Sequence, residues 1–358
     1  MGEIEGKAIV YSGYGDPKKH LKAIKFKVRE PEEKEVVLRL MACPINPSDL
    51  NQVQGTYLAL PPMTTELDPE TPCAVGGNEA AFEVIKVGRG VTKFQAGDWA
   101  LPTRGNFGTW RTHAIAHEDQ MNLIKDRSGI TPVQAATVSV NLATAHRLLT
   151  KFADMKPGDW FIQNAGNSGV CRAATQLGKL WGYKSISVVR KRPDFEQLKA
   201  ELKSLGADQV VTEDEIAQPE FTQTVKQWIG DAPLKLALNC VGGESCLNIA
   251  SQLSEDGHLV TYGSMSKKPI MVPGSQTVFK NVTSHGCWLS GWAAKHPHDR
   301  YLLVLELLKL VAEGKIKDVP NTQHTWSEDQ SVEEFQKTYF EALDANLNGK
   351  GKQIFIMK

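Results

Sequence analysis

The chain has 358 residues, 41% hydrophobic and 23% charged, and its 41 Lys and Arg balance 41 Asp and Glu to a formal net charge of zero. A neutral balance supplies no global field for nucleic acid or an anionic membrane surface, so any basic site has to be local. The length exceeds what one hydrophobic core usually serves, which points to two domains.

The opening residues, MGEIEGKAIVY, carry two acids and run straight into a strand pattern. They read neither as a secretory signal nor as an Arg-rich transit peptide, so the chain is expected to lack a presequence. Residues 1–125 are strand-like and loop-rich, with GKAIVYSG, EVVLRLMACPINPSD, AAFEVIKVGRGV and GTWRTHAIA separated by turn signals. That pattern predicts an antiparallel β unit. Helices begin near Thr131 with TPVQAATVSVNLATAHRLL. Strands and helices then alternate: WFIQNA, VCRAATQLGKLWG, SISVVR, FEQLKAELKSLG, QVVTED, a helix around EFTQTVKQWI, LKLALNCVGG and HLVTYGSM. This rhythm predicts a parallel, doubly wound sheet, with a last strand expected around residues 269–273, PIMVP, near an open edge. Two helices, DRYLLVLELLKLVAEGK and SVEEFQKTYFEAL, and the strand QIFIMK read as a return to the first domain. The expected division is a β-rich unit at 1–148, completed by 283–358, and a parallel-sheet unit at 149–282. No stretch of about 18 apolar residues occurs, so no membrane span is expected. The six cysteines are scattered singly, as small buried hydrophobes of a reducing compartment would be.

The first turn of the alternating region is QNAGNSGVC, residues 163–171. A dinucleotide fold carries G-x-G-x-x-G here, where glycines let the backbone approach a pyrophosphate at a helix N-terminus. The three positions are Gly166, Ser168 and Cys171, with Gly169 beside the second. The motif alone is weak; a strand before it, a helix after it and a second strand ending about 20 residues on strengthen it. That second strand, SISVV, runs into Arg190, Lys191 and Arg192. An NAD enzyme places an acid there for the ribose hydroxyl, whereas cations suit the extra phosphate of NADPH. The bland reading is a solvated basic loop; the position within the fold favours NADPH.

Zinc needs Cys, His or carboxylate ligands in a tetrahedral set. The two places that could supply them read CPINPSD, with Asn46, and VGGNEA, with Asn78 before Glu79. Amides are poor zinc ligands, and the four-cysteine cluster of a structural zinc lobe is missing. No metal is expected. Asn46 and Asp49 flank Pro47, where capping of the backbone is at least as natural as chemistry.

These residues resemble the medium-chain dehydrogenase/reductase superfamily, and within it the zinc-free mitochondrial trans-2-enoyl-thioester reductases. The segments that carry the resemblance run in order along the chain: INPSDLNQVQGTY, VGGNEAAFEVIKVG, GDWALPT, FGTWRTHA, VSVN, IQNAGNSGV, SVVRKRPD, ELKSLGADQVVTE, LALNCVGG, VTYGSM, WLS and GKQI. The resemblance implies a GroES-like catalytic domain with a Rossmann-type domain, an oxidoreductase acting on CH–CH bonds, and reduction of trans-2-enoyl thioesters of acyl carrier protein or CoA with NADPH. It implies a place in mitochondrial fatty-acid synthesis, a homodimer and a matrix location, with the cytosol as the alternative for a chain without a presequence. The proton-donating tyrosine maps onto Tyr57 in QGTY; a phenol holds its proton at neutral pH and can donate it. Cofactor contacts map onto Asn141, Asn167, Ser168, Gly169, Val170, Arg190, Lys191 and Arg192. They continue at Tyr262, Gly263, Ser264, Met265, Cys287, Trp288, Leu289, Ser290 and Lys352. The residues alone point to the arginines but not to Tyr57 or Lys352.

Bland readings stand beside these assignments. A lone Tyr in a loop is ordinarily a surface anchor, Trp288 could be core, and a Lys before an apolar strand is normally exposed. Cys171 stands where a third glycine is usual and is expected to crowd the helix–strand contact slightly. The segment LALPPMTTELDPETPC after Tyr57 is placed to shape an acyl entrance. Two other functions remain: a zinc-free NADPH quinone or enone reductase on the same fold, and a non-enzymatic role such as binding a nuclear receptor.

Overall fold

The computed structural model describes residues 4–358. The chain divides into two compact units: one runs up to Val140 and includes Ser290–Glu313 and Pro320–Lys358, and the other is Asn141–Leu289 with Gly314–Val319.

The first unit is β-rich. Its larger sheet follows the order Asn321–Trp326, Lys352–Met357, Glu35–Pro44, Ala81–Val87, Trp99–Pro102, Met121–Ile124, with His113–His117 paired to Glu35–Pro44. The first two of these strands run parallel and the rest of the pairs are antiparallel. A second sheet joins Leu21–Val28, Ile4–Tyr11 and Ala74–Val75. The C-terminal strand thus completes the N-terminal unit, its Phe355 opposite Cys43. An aromatic stack centres the core: Trp326 lies 4.0 Å from Phe355 and 4.1 Å from Phe335, ring to ring, and Tyr339 lies 5.4 Å from Phe355. Each such buried ring contributes a few kcal/mol, roughly 1.5–3 for Phe.

The second unit is a six-stranded sheet, every neighbouring pair parallel, in the order Gln209–Thr212, Lys184–Val189, Trp160–Gln163, Leu234–Asn239, His258–Thr261, Thr283–Gly286. Its middle strands are buried on both faces, with Ile162, Ile186, Val188, Leu236, Leu238 and Val260 essentially inaccessible, as a sheet covered by helices requires. This is the doubly wound architecture beside a β-rich unit that the sequence implies.

The unit boundaries differ from 148/149 and 282/283 for two local reasons. The helix Ala143–Thr150 packs on the helix Gly169–Leu180 and so goes with the parallel sheet. Thr283–Gly286 is that sheet's last strand. The strand expected at residues 269–273 does not form. Pro269 and Pro273 bracket that segment and lack ladder donors, and the Pro269 carbonyl instead accepts the Gly243 N–H at 2.8 Å. The edge at this end of the sheet is therefore Thr283–Gly286, the opposite edge being Gln209–Thr212. No helix among the described residues is long and apolar enough to cross a membrane.

Candidate active site

Tyr57 follows the short helix Pro47–Val53. Pro47 opens that helix, where its missing N–H costs nothing, and the Asp49 carboxylate accepts the Asn46 N–H at 2.7 Å, so the capping reading of this turn holds. The helix ends in a turn at Gly55, with φ +71°; a Cβ there would lie 2.9 Å from the Tyr14 Cβ, so glycine is required. The Thr56 N–H then donates back to the Asn51 carbonyl at 2.9 Å. Tyr57 emerges half-buried, its hydroxyl 3.4 Å from the Ser290 Oγ.

Beneath this loop lies a buried ladder of polar side chains. Asn46, Asp49, Gln52, Asn78 and Glu79 are each no more than 9% exposed. Lys352 donates from Nζ to the Asn46 Oδ1, and the Asn46 Nδ2 donates to a Glu79 carboxylate oxygen at 3.0 Å. Glu79 also accepts the Val140 N–H at 2.8 Å and the Ser139 hydroxyl at 3.3 Å. The Asn78 Nδ2 donates to Asp49 and to the Gln52 Oε1, both at 2.7 Å. Burial pushes the Asp49 carboxyl up to about 7, against the Asn46 and Asn78 hydrogen bonds and the Lys352 charge, which pull it down. Burial likewise lowers the Lys352 ammonium, while Glu79 and Asp49 oppose that shift. Among the described residues no group of three or more His, Cys, Asp or Glu could hold a metal ion. The amides at 46 and 78 are committed to these hydrogen bonds.

Glu79 holds one side of a π-helical turn, Val138–Leu142, that reads in the sequence as ordinary helix. Such turns widen a helix locally and are frequent at functional positions. It carries Asn141, whose Nδ2 would lie 2.6 Å from a Cβ added at Gly169. Gly169 begins the helix Gly169–Leu180, and Ser168 caps it, its Oγ accepting the Cys171 N–H at 3.4 Å. Asn167 sits just before, its carbonyl accepting from the Arg172 Nε at 2.9 Å, and Val170 is the second helical residue. Gly166 is needed for close approach, since a Cβ there would meet the Ser187 Cβ at 2.8 Å. Cys171 is fully buried, its thiol donates to the Asn164 carbonyl at 3.2 Å, and it lies 3.3 Å from the Tyr262 hydroxyl. A tight contact between this helix and its strand falls at Gly178, where a Cβ would come 2.7 Å from the Phe161 ring.

Arg190, Lys191 and Arg192 follow the strand Lys184–Val189 and are all exposed. They are not equivalent. Arg192 binds both oxygens of Asp194, and Lys191 lies 3.8 Å from Asp214. Arg190 makes no carboxylate ion pair among the described residues.

The other expected positions also follow strand ends of the parallel sheet. Tyr262, Gly263, Ser264 and Met265 come after His258–Thr261, with Met265 53% exposed. The Tyr262 N–H donates to the Asn239 carbonyl at 2.9 Å, and burial pushes its phenol well above the ordinary range. Cys287, Trp288 and Leu289 follow Thr283–Gly286, and Cys287 donates its N–H to the Thr261 carbonyl at 2.8 Å. Trp288 is 42% exposed, so it is not the core residue the bland reading suggests. Lys352, read blandly as exposed, is partly buried and joined to the ladder.

Comparison with known proteins places this geometry. Residues 32–140 match the alcohol dehydrogenase GroES-like domain, and residues 169–309 match the zinc-binding dehydrogenase domain. A mitochondrial enoyl-[acyl-carrier-protein] reductase of Yarrowia lipolytica is 42% identical over 97% of this chain and 91% of its own. The chain belongs to the mitochondrial enoyl-[acyl-carrier-protein] reductase family. The human member is 42% identical over 87% of this chain and 80% of its own. A solved Etr1p/NADP/crotonyl-CoA complex superposes with a TM-score of 0.94 at 38% identity, covering 99% of this chain and all of the other. The family resemblance carried by INPSD, QGTY and LNCVGG thus extends over nearly the whole chain. A putative NADPH:quinone reductase from Bacillus thuringiensis, at 23% identity and a TM-score of 0.81, shares the fold alone.

Proposed function

We propose that the chain is an NADPH-dependent trans-2-enoyl-thioester reductase acting on acyl-carrier-protein or CoA thioesters in mitochondrial fatty-acid synthesis, in the mitochondrial matrix. The observation that carries this reading is Tyr57: a half-buried phenol beside a second hydroxyl, on a loop set by a buried polar ladder, in a chain of the enoyl reductase family. The second unit suits the cofactor. Gly166 and Gly169 add no side chain at a helix N-terminus and Ser168 adds only its small capping hydroxyl, and there the N–H groups and the helix dipole favour a pyrophosphate. Arg190 stands at the end of the second strand with its guanidinium in no carboxylate ion pair among the described residues, which suits a 2′-phosphate. We assign Asn141, Asn167, Ser168, Gly169, Val170, Lys191, Arg192, Tyr262, Gly263, Ser264, Met265, Cys287, Trp288, Leu289, Ser290 and Lys352 to cofactor binding, as the family resemblance implies.

Bound NADPH supplies the hydride for the substrate Cβ. The protein's own part is to handle the proton and the charge. As the double bond is reduced, electrons move toward the thioester oxygen, and the Tyr57 hydroxyl stabilises that charge by hydrogen bonding. The Cα–H bond forms with the proton from Tyr57, and the phenolate is restored from water. Ser290, at 3.4 Å, orients the hydroxyl through this cycle.

The chain pairs with a second copy through Thr283–Gly286, an open edge of the parallel sheet, next to the exposed Val278 and Phe279, 73% and 80% accessible. Sedimentation showing only a 39.4 kDa species at micromolar concentration contradicts this pairing. The reaction is tested by NADPH oxidation with trans-2-enoyl-CoA substrates of graded length beside a quinone and a simple enone. Fast turnover confined to the thioesters supports the reading. Faster turnover of the quinone assigns a quinone reductase, and tight NADPH binding without turnover of any acceptor assigns a non-enzymatic role.

A further inference from the structure

We propose that Gln52 is a positioning residue for Tyr57, clamping the loop so that the phenol stands where proton transfer needs it; this rests on the reading of Tyr57 as proton donor. Tyr57 is held on its N-terminal side by the backbone bond from Thr56 to Asn51. On its C-terminal side the next residue, Leu58, is 83% exposed, so packing of that side chain holds nothing. The loop is caught one residue later, where the Gln52 Nε2 donates to the Ala59 carbonyl at 2.9 Å. The same Nε2 lies 2.5 Å from the Asn106 Oδ1 and 3.4 Å from the Asn78 Oδ1. An amide nitrogen has two protons, so the two shorter contacts are the hydrogen bonds.

What makes this clamp stiff is the far end. The Gln52 Oε1 accepts from the Asn78 Nδ2, which also binds Asp49, and the Asn78 Oδ1 accepts the Asn106 N–H at 2.7 Å. Gln52, Asn78 and Asn106 therefore close a triangle, with Asn106 in the left-handed region at φ +67°. Gln52 is 3% exposed, so each lost bond leaves a polar group without water to replace its partner. A side chain that only satisfied the interior would not need its amide to end on the carbonyl two residues past the phenol.

The test is a double-mutant cycle on turnover of a trans-2-enoyl-CoA. Gln52→Met keeps length and removes every hydrogen bond. A reacting group displaced by about 1 Å loses on the order of 10²-fold in rate. Gln52→Met is therefore expected to lower kcat by about 10- to 100-fold, with NADPH affinity changed less than about twofold. In the Tyr57→Phe background the same substitution is expected to lower kcat no further, because the group it positions is gone. Asn106→Gly keeps the left-handed backbone and removes one acceptor; it is expected to give a smaller fall, about three- to tenfold, and reads the clamp even where Gln52→Met folds poorly. Near-normal kcat in a folded Gln52→Met enzyme overturns the proposal. So does an equal fold-loss in both backgrounds, which marks a general structural role. Near-normal kcat in Tyr57→Phe itself removes the proton donor, and the positioning proposal falls with it.

Discussion

Two polar groupings of this protein differ most in burial. In the β-rich unit, Asn46, Asp49, Gln52, Asn78 and Glu79 are sealed from solvent and satisfy one another. In the parallel-sheet unit, Arg190, Lys191 and Arg192 stand in solvent, two of them paired with nearby acids. Buried polar networks are rigid because every member has a fixed partner and water cannot substitute for a lost one. Exposed cations are screened, mobile and individually weak, but they are free to meet a ligand phosphate. The first arrangement suits geometry for proton transfer, and the second suits choice of cofactor.

The sharpest way to break this comparison is to remove the ladder's cation. Lys352→Met leaves the carboxyl groups of Asp49 and Glu79 buried without the ammonium that Asn46 relays to them. Removing one partner of a buried charged set costs about 3–5 kcal/mol, and the nearby Arg300, which also acts on Glu79, puts the expected loss at the lower end. Urea unfolding measures it, and an unchanged midpoint would mean that the ladder contributes nothing to stability. Weaker NADPH binding in the same variant would separately support the cofactor role proposed for Lys352.

A smaller effect is expected at the exposed cluster. Arg190→Ala should lower the preference for NADPH over NADH by about 1.5–3 kcal/mol, the range for a charge-assisted hydrogen bond, with thermal stability unchanged. Arg192→Ala should do less, because Asp194 already holds that guanidinium. Equal effects at both positions, or none at Arg190, would show that the strand end does not select the cofactor. Raising salt should weaken NADPH binding through Arg190 while leaving the ladder unaffected.

Much of this was legible in the residues, and the limits have physical causes. The switch from short strands with turns to alternating strands and helices is written in local periodicity, so the order of the two units could be read. The cations after SISVV could be read because strand and charge adjoin in sequence. The ladder could not: Gln52 meets Asn78 and Asn106, and Lys352 meets Asn46, across separations no local pattern encodes. The open edge was misplaced for the opposite reason. PIMVP looks apolar enough for a strand but has a proline at each end, whereas the true edge, Thr283–Gly286, reads TSHG and lacks any apolar alternation. The π turn at Val138–Leu142 was hidden because the residues of a π turn differ little from those of a helix. Tyr57 and Lys352 were reached through family resemblance alone.

The proposed proton donor is a phenol rather than a charged or metal-bound group, and Tyr57→Phe probes it without disturbing the ring. The substitution keeps the ring and removes one hydroxyl, whose neighbour is Ser290. With a trans-2-enoyl-CoA substrate, kcat is expected to fall by about 10²–10⁴, the range for a lost general acid, while NADPH affinity and unfolding midpoint stay near those of the unsubstituted protein. Near-normal kcat in a folded, NADPH-binding Tyr57→Phe enzyme would contradict the claim and assign the proton to water or to another side chain.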